Sequence, residues 1–275
     1  MKVALTIAGS DCSGGAGIQA DLKTFLMHRV YGMSVVTALT AQNTTGVYGV
    51  VEPEPAFLAS QLDCVFQDIF PDAVKIGMMP SVQAVQVTAE KLRQYRPAHI
   101  VIDPVMVSTS GRWLMSAQAV EAAQQELFPL AEVLTPNLPE AEALIGRPIV
   151  SRAETEVVAA ELAERYGCAI LLKGGHRVTD ADDLLWQDGQ GTWLSGSKVD
   201  NPNAHGTGCT LSSAIAANLA NDLDLFQAVR GAKAYLTTAL RVGLDLGRGQ
   251  GPLDHTLGGR MKQTQAFFDF LEEQE

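Results

Sequence analysis

The residues with the clearest capacity for chemistry lie late in the chain. A polar stretch ending Asn201-Pro202-Asn203-Ala204 leads into His205-Gly206-Thr207-Gly208-Cys209-Thr210 and then directly into the apolar helical segment Leu211 to Ala220. Two glycines let the backbone turn tightly, and the first amides of the following helix have no intrahelical acceptors. Gly206, Thr207, Gly208 and Cys209 can therefore present N–H groups to an anion, with the positive end of the helix dipole behind them. Such a site suits a migrating phosphoryl group. A Gly-Thr-Gly before a helix also serves as a plain turn needing positive φ, so the motif alone leaves both readings open. Cys209 adds a thiol at a helix start, where its pKa can be lowered; a buried inert cysteine has the same signature.

Other candidates stand at strand and helix ends. Ile100-Val101-Ile102 reads as a buried strand that Asp103-Pro104 stops, leaving either a ligand-edge carboxylate or a turn former. Asn137 and Glu140 stand three apart at a helix start. The spacing by itself reads as an N-cap with its capping-box partner, yet these hard oxygens also suit Mg²⁺ shared with nucleotide phosphates. Lys173 follows four apolar residues and precedes Gly174-Gly175, fitting a surface lysine or a cation that neutralises phosphate. Asp21 falls on the polar side of the first helix, where a solvated or dipole-favoured carboxylate is expected. Met78 and Met79 read as core or pocket lining, able to pack on a flat heterocycle. His176 and His205 read as hydrogen-bonding loop residues, since no second metal ligand stands at helical or hairpin spacing.

These positions must be held by a regular scaffold. Val3–Ala8, Val35–Thr40, Ala73–Gly77, Ile100–Asp103, Glu132–Thr135 and Ala169–Lys173 read as strands. Between them, residues 18–27, 57–69, 83–95, 117–127, 140–144 and 154–166 read as helices. Repeated strand–helix–strand units build a parallel sheet with its ligand edge at the strand carboxyl ends. Gly9-Ser10-Asp11, Gln42-Asn43, Gly77-Met78, Asp103-Pro104, Pro136-Asn137 and Lys173-Gly174-Gly175 all fall there. Asp183–Gln187 and Thr192–Leu194 around Asp188-Gly189 read as a hairpin extending a sheet edge. Residues 226–244 and 261–271 read as closing helices, and nothing marks an interdomain linker.

Composition narrows the function. The 275 residues are 47% hydrophobic with a net charge of −11, so no basic face points to nucleic acid or an anionic membrane. The four cysteines, at 12, 64, 168 and 209, lack CxxC spacing, which fits a reducing cytoplasm rather than a zinc or disulfide framework. Val3 to Ala8 is too short for a signal segment and no run approaches a membrane span, so a soluble intracellular protein is expected. Gly14-Gly15-Ala16-Gly17 occupies the place of a dinucleotide loop, but the G-x-G-x-x-G spacing is missing. The second strand also ends in Thr40-Ala41-Gln42 rather than a ribose-binding acid, which disfavours a nicotinamide enzyme. A Walker A motif is absent, so ATP use requires another kinase architecture.

Together, Ala8 to Asp11, Ser13 to Thr24, Val36 to Thr44, Lys75 to Met78, Asp103 to Met106, Thr135 to Ala141, Lys173 to His176, His205 to Thr210 and Gly251-Pro252-Leu253 resemble the ribokinase-like superfamily. Within it they are most similar to the hydroxymethylpyrimidine/phosphomethylpyrimidine kinases of thiamine biosynthesis. The resemblance covers nearly the whole chain. It implies a three-layer α/β/α sandwich with a mainly parallel central sheet and no separate lid domain. One domain over 1–275 would draw its substrate pocket mainly from 1–110 and its Mg-ATP site mainly from 130–260.

The implied activity is ATP-dependent phosphorylation of 4-amino-5-hydroxymethyl-2-methylpyrimidine and then of its monophosphate, by a cytoplasmic homodimer. Gly9, Asp21, Gln42, Met78 and Val105 match the pyrimidine pocket. Asn137, Glu140, Lys173 and Thr207 match the Mg·ATP site, with Asp103 and Glu140 toward the metal and Gly206 to Cys209 as the anion hole. Gln42 offers both donor and acceptor to an aminopyrimidine edge. Many ribokinase relatives carry an aspartate base where this chain has Cys209, and the thiol is expected to assist deprotonation of the hydroxymethyl group. The alternatives are a pyridoxine/pyridoxal/pyridoxamine kinase of the same superfamily and a non-catalytic pyrimidine-binding protein.

Overall fold

Alternating β-rich and amphipathic runs become a nine-stranded sheet covered on both faces, in a computed structural model that describes residues 1–106, 114–174, 181–196 and 198–259. The strands are β1 (Val3–Asp11), β2 (Tyr31–Asn43), β3 (Gly46–Val51), β4 (Ala73–Ile76), β5 (His99–Ile102), β6 (Val133–Leu134), β7 (Ala169–Leu172), β8 (Asp183–Gln187) and β9 (Gln190–Leu194). Their spatial order is β3-β2-β1-β4-β5-β6-β7-β8-β9. From β2 to β7 neighbouring strands run parallel; β3 closes one edge and the β8–β9 hairpin the other, both antiparallel.

Side chains alternate between two cores, as the two-residue period of a strand requires. Leu5, Ile7, Val74, Ile76, Ile100, Ile102, Leu134 and Ile170 pack under α2 (Pro55–Asp68), α3 (Val82–Tyr95), α4 (Ala117–Ala122), α5 (Leu138–Ile145) and α6 (Arg152–Tyr166). Ala4, Ala73, Val101, Val133 and Leu171 pack under α1 (Gly17–Met27), α7 (Thr207–Ala220) and α8 (Leu225–Val242). The result is the expected three-layer sandwich. Helix α7 is buried at every position from Thr210 to Ala220, which explains its apolar run. The chain leaves β1 toward β2 and β3, then returns to the other side of β1 as β4, so the topological switch lies between β1 and β4. Ligand crevices open at such points.

Local signals set most boundaries. Asp188 (φ 53°) and Gly189 (φ 76°) form a two-residue turn with both residues left-handed, pairing Gln187 with Gln190, so β9 begins two residues earlier than expected. The expected helix 117–127 is split: α4 ends at Ala122 and Ala123–Leu127 continue as a π-helical turn. Strand β2 runs to Asn43 and pairs with β3. The region 43–50 is therefore largely sheet. Gly175, His176 and the closing helix 261–271 lie outside the described residues. Among the described residues no helix is long and apolar enough to cross a membrane.

Candidate active site

The strand carboxyl ends and the start of α7 enclose one cavity of about 630 Å³. Gly9, Gln42, Met78 and Val105 line it, as do Asp103, Asn137, Glu140, Lys173 and the loop Gly206 to Cys209. Of the thirteen residues expected to form the site, only Asp21 is not in the wall.

Gly206 has φ +85°, and a Cβ there would overlap the Gly15 carbonyl, so this position requires glycine. No side chain caps α7. The Thr207 N–H turns back to Ala204 O (3.3 Å), whereas the Gly208 and Cys209 amides take no internal hydrogen bond among the described residues. The helix-start amides left open to a ligand are thus those of Gly208 and Cys209 rather than that of Thr207.

Opposite the loop sits a buried cation between two acids. Lys173 Nζ lies 2.6 Å from Asp103 Oδ1 and 3.9 Å from Glu140 Oε2, and only 14% of its side chain is exposed, which rules out a surface lysine. Burial opposes its charge, but Asp103 and Glu140 outweigh that and raise its pKa. Asp103 Oδ1 also accepts from Thr135 Oγ1 (3.2 Å). Its Oδ2 would lie 3.1 Å from a Cβ on Gly208, so the carboxylate abuts the first turn of α7.

Glu140 bears out its capping reading. It completes a capping box, with Glu140 N donating to Asn137 Oδ1 and Asn137 N to Glu140 Oε2, each at 2.8 Å. Burial pushes its carboxyl up to about 7, Asp103 adding to this and Lys173 opposing it. Among the described residues no cluster of three or more carboxylates, histidines or cysteines forms a dedicated metal cage. Two hard carboxylates are what Mg²⁺ needs when phosphates and water supply the remaining ligands, so this donor set fits a nucleotide-borne magnesium ion.

Two expectations are corrected. Cys209 is not an activated thiol: burial pushes it up to about 11, helped by Asp21 and Asp103, while Lys75 and the Gly17 amide pull the other way. Desolvation outweighs the pull of Lys75 and the Gly17 amide, and the thiol holds its proton at neutral pH. Asp21 is neither solvated nor a pocket residue. Helix α7 packs across the polar side of α1 and buries Asp21 completely. Its carboxylate accepts from Lys75 Nζ (2.8 and 2.9 Å), Thr6 Oγ1 (2.6 Å) and Ser213 Oγ (2.6 Å). Lys75, itself fully buried, had one signal in the sequence: a lysine inside the apolar strand Ala73-Val74-Lys75-Ile76.

Asp11 was also missed as a site residue. Its buried carboxylate accepts from Ser13 N (2.9 Å), Ser13 Oγ (2.7 Å), Gly15 N (3.1 Å), Ala16 N (2.9 Å) and His205 Nε2 (2.8 Å). Burial alone would raise its pKa, but the His205 and Ser13 hydrogen bonds hold it at about 2, below the usual 3.8. An acid depressed on folding stabilises the protein above its unfolded pKa, and this contribution fades as pH falls through the folded value. Asp11→Asn is therefore expected to cost about 2 kcal/mol near neutrality. The gap to the parent should close between roughly pH 4 and pH 2. Urea unfolding at pH 6 and pH 3 measures this; equal gaps at both would show that the carboxylate charge is not what stabilises the turn.

A parallel sheet with helices on both faces, and one cavity joining a helix start to a buried lysine–carboxylate group, define a small-molecule kinase of the ribokinase-like class. A sequence profile of the phosphomethylpyrimidine kinase family matches residues 11–254, and the chain belongs to that family. The hydroxymethylpyrimidine/phosphomethylpyrimidine kinase of Rhizobium meliloti is 47% identical over 257 residues, covering 92% of this chain and 96% of that one. A thiamine biosynthesis bifunctional protein of Geobacter sulfurreducens is 48% identical over 92% of this chain, which spans about half (52%) of that longer protein. Among solved structures, the phosphomethylpyrimidine kinase of Clostridium difficile 630 matches with a TM-score of 0.79 at 42% identity, covering 87% of this chain and 99% of that one. The pyridoxal kinase of Staphylococcus aureus, in complex with AMP-PCP and pyridoxal, matches with a TM-score of 0.86 at 33% identity, covering 95% and 96%.

Proposed function

We propose that the chain transfers the γ-phosphoryl group of ATP to the hydroxymethyl oxygen of 4-amino-5-hydroxymethyl-2-methylpyrimidine, and then phosphorylates the monophosphate, in one site. The observation that carries this reading, within the family, is the single cavity. Gln42, Met78 and Val105, from the first 110 residues, stand in the same enclosure as Lys173 and the Gly206–Cys209 loop, from beyond residue 130.

At the substrate end Gln42 supplies a donor and an acceptor for the ring edge. A Cβ on Gly9 would lie 3.0 Å from Met78 Sδ, so glycine keeps a slot for a flat ring beside that sulfur. At the phosphate end Lys173 and Asn137 hold the nucleotide phosphates, and the Gly208 and Cys209 amides face the transferring group. Asp103 and Glu140 would hold a magnesium ion that neutralises phosphate charge. Phosphoryl transfer through a loose transition state needs positioning and charge stabilisation more than early removal of the nucleophile's proton. A protonated Cys209 thiol agrees with this: it orients the hydroxymethyl oxygen and is not a resting base.

Homodimerisation in the cytoplasm completes the reading. Leu39 and Val51, cross-strand neighbours on the β2–β3 edge, are 57% and 67% exposed, an apolar edge that a second copy would cover. The four cysteines are free, as a reducing compartment favours.

The deciding experiment is Mg·ATP-dependent ADP release with hydroxymethylpyrimidine, its monophosphate, pyridoxine and pyridoxal offered separately. Turnover of both pyrimidines is expected, and turnover of the B6 compounds alone would overturn the substrate. In the same assay Cys209→Ala should lower kcat roughly 10–100-fold with KM for ATP within about twofold, and Cys209→Ser should retain most of the rate. An unchanged kcat in the alanine variant would remove the thiol from the mechanism.

A further inference from the structure

Three polar side chains from distant segments meet at the substrate end. Asp11 ends β1, Gln42 lies near the end of β2, and His205 immediately precedes the glycine loop of α7. His205 Nε2 lies 2.8 Å from Asp11 Oδ2 and 3.1 Å from the terminal amide of Gln42. The Asp11 carboxylate already gathers donors from Ser13, Gly15 and Ala16, so it is an ionised acceptor and His205 Nε2 carries the hydrogen. A ring nitrogen that donates cannot also accept from the Gln42 amide nitrogen. The Gln42 atom facing it must be the oxygen. The amide nitrogen then faces Thr40 Oγ1, 3.2 Å from the other terminal atom of Gln42. The Thr40 hydroxyl donates to Ser10 O at 2.8 Å and keeps lone pairs to accept an N–H. In this arrangement no donor faces another donor.

We propose that Asp11 and His205 are positioning residues that fix which way round the Gln42 amide stands, and thereby its preference for a ring edge bearing an exocyclic amine beside a ring nitrogen. With Oε1 toward His205 and Nε2 toward Thr40, the oxygen keeps a lone pair for the amine and the nitrogen keeps a hydrogen for the ring nitrogen. Their order in space is set before substrate arrives. A ring edge presenting these groups in reverse order, or acceptors only, would have to turn the amide against His205.

Both partners are held in place. A Cβ on Gly15 would overlap the His205 ring, His205 is 7% exposed, and its backbone N–H donates to Gly251 O at 3.2 Å. The Gln42 backbone is clipped to Cys12, with Gln42 N donating to Sγ at 3.3 Å and Sγ to Gln42 O at 3.1 Å.

This inference rests on the reading of Gln42 as the pyrimidine contact. It is tested by a double-mutant cycle of Gln42→Ala and His205→Phe, measuring KM for hydroxymethylpyrimidine, KM for ATP and kcat. Each single change should raise the pyrimidine KM about tenfold and leave the ATP KM within about twofold, and the double variant should be no worse than Gln42→Ala alone. His205→Gln, which restores an N–H, should recover part of the loss. If the two KM effects multiply, His205 does not act through Gln42 and the inference fails while the pyrimidine reading stands. If Gln42→Ala leaves the pyrimidine KM unchanged, that reading fails and takes this one with it. Should His205→Phe not fold, Asp11→Asn closes the same cycle, because an amide there lets the imidazole hydrogen reverse. Non-additivity is again expected, and multiplicative effects would again overturn the proposal.

Discussion

Lys173→Met is expected to lower kcat/KM for phosphorylation by roughly 10²–10³-fold, with the loss mainly in kcat. Methionine keeps the length of the side chain and removes its charge, so packing is disturbed little. Lys173 is the cation placed between Asp103 and Glu140 at the phosphate end of the cavity. Without it, charge developing on the transferring group faces Asp103 and Glu140 with no cation between them. Glu140 already titrates near neutrality, at about 7, so loss of its partner pushes its carboxyl further toward the neutral form. The variant can therefore stay folded by taking up a proton. Lys173→Arg should not restore the rate, because a planar guanidinium cannot replace a compact point charge in so closed a place. Steady-state ADP release, with thermal unfolding as a control on folding, measures the effect; a drop smaller than about threefold would remove Lys173 from phosphate handling.

Lys75→Met should act on stability instead. Lys75 and Asp21 are both fully buried, and their ion pair is joined by the Thr6 and Ser213 hydroxyls. Removing one partner leaves an uncompensated buried charge, at a cost of about 3–5 kcal/mol. For a chain of this size that corresponds to a fall of roughly 10 °C in the unfolding midpoint. Replacing both partners, Lys75→Met with Asp21→Leu, should recover most of the loss, since a packed apolar pair has no charge to leave unpaired. A single-variant loss below about 1 kcal/mol would mean that water or another group already serves Asp21. Because Lys75 also pulls the Cys209 thiol downward, its loss should make that thiol still harder to ionise. The buried pair is thus the electrostatic floor of the α7 start, set beneath the cavity rather than in its wall.

What the amino-acid sequence determined by itself is everything written in local pattern. Short apolar runs between amphipathic segments placed the strands, and Asp188-Gly189 placed the hairpin turn. The Asn137–Glu140 spacing fixed a capping box, and a glycine pair before an apolar run marked the start of α7. These depend on neighbours a few residues apart, so they are legible without a fold, and with the family resemblance they located twelve of the cavity's residues. Only the tertiary structure decided the rest. Asp21 meets Lys75 across 54 residues and Ser213 across 192, and His205 meets Asp11 across 194. The ionisation of Cys209 follows from burial between α1 and α7 and from charges brought in by β4 and the end of β5. Whether a carboxylate on a polar helix face meets water or a lysine depends on which helix packs over it. Whether a thiol at a helix start is activated depends on how much water the fold leaves beside it. Desolvation and long-range charge are properties of the assembled layers, not of any segment of the chain.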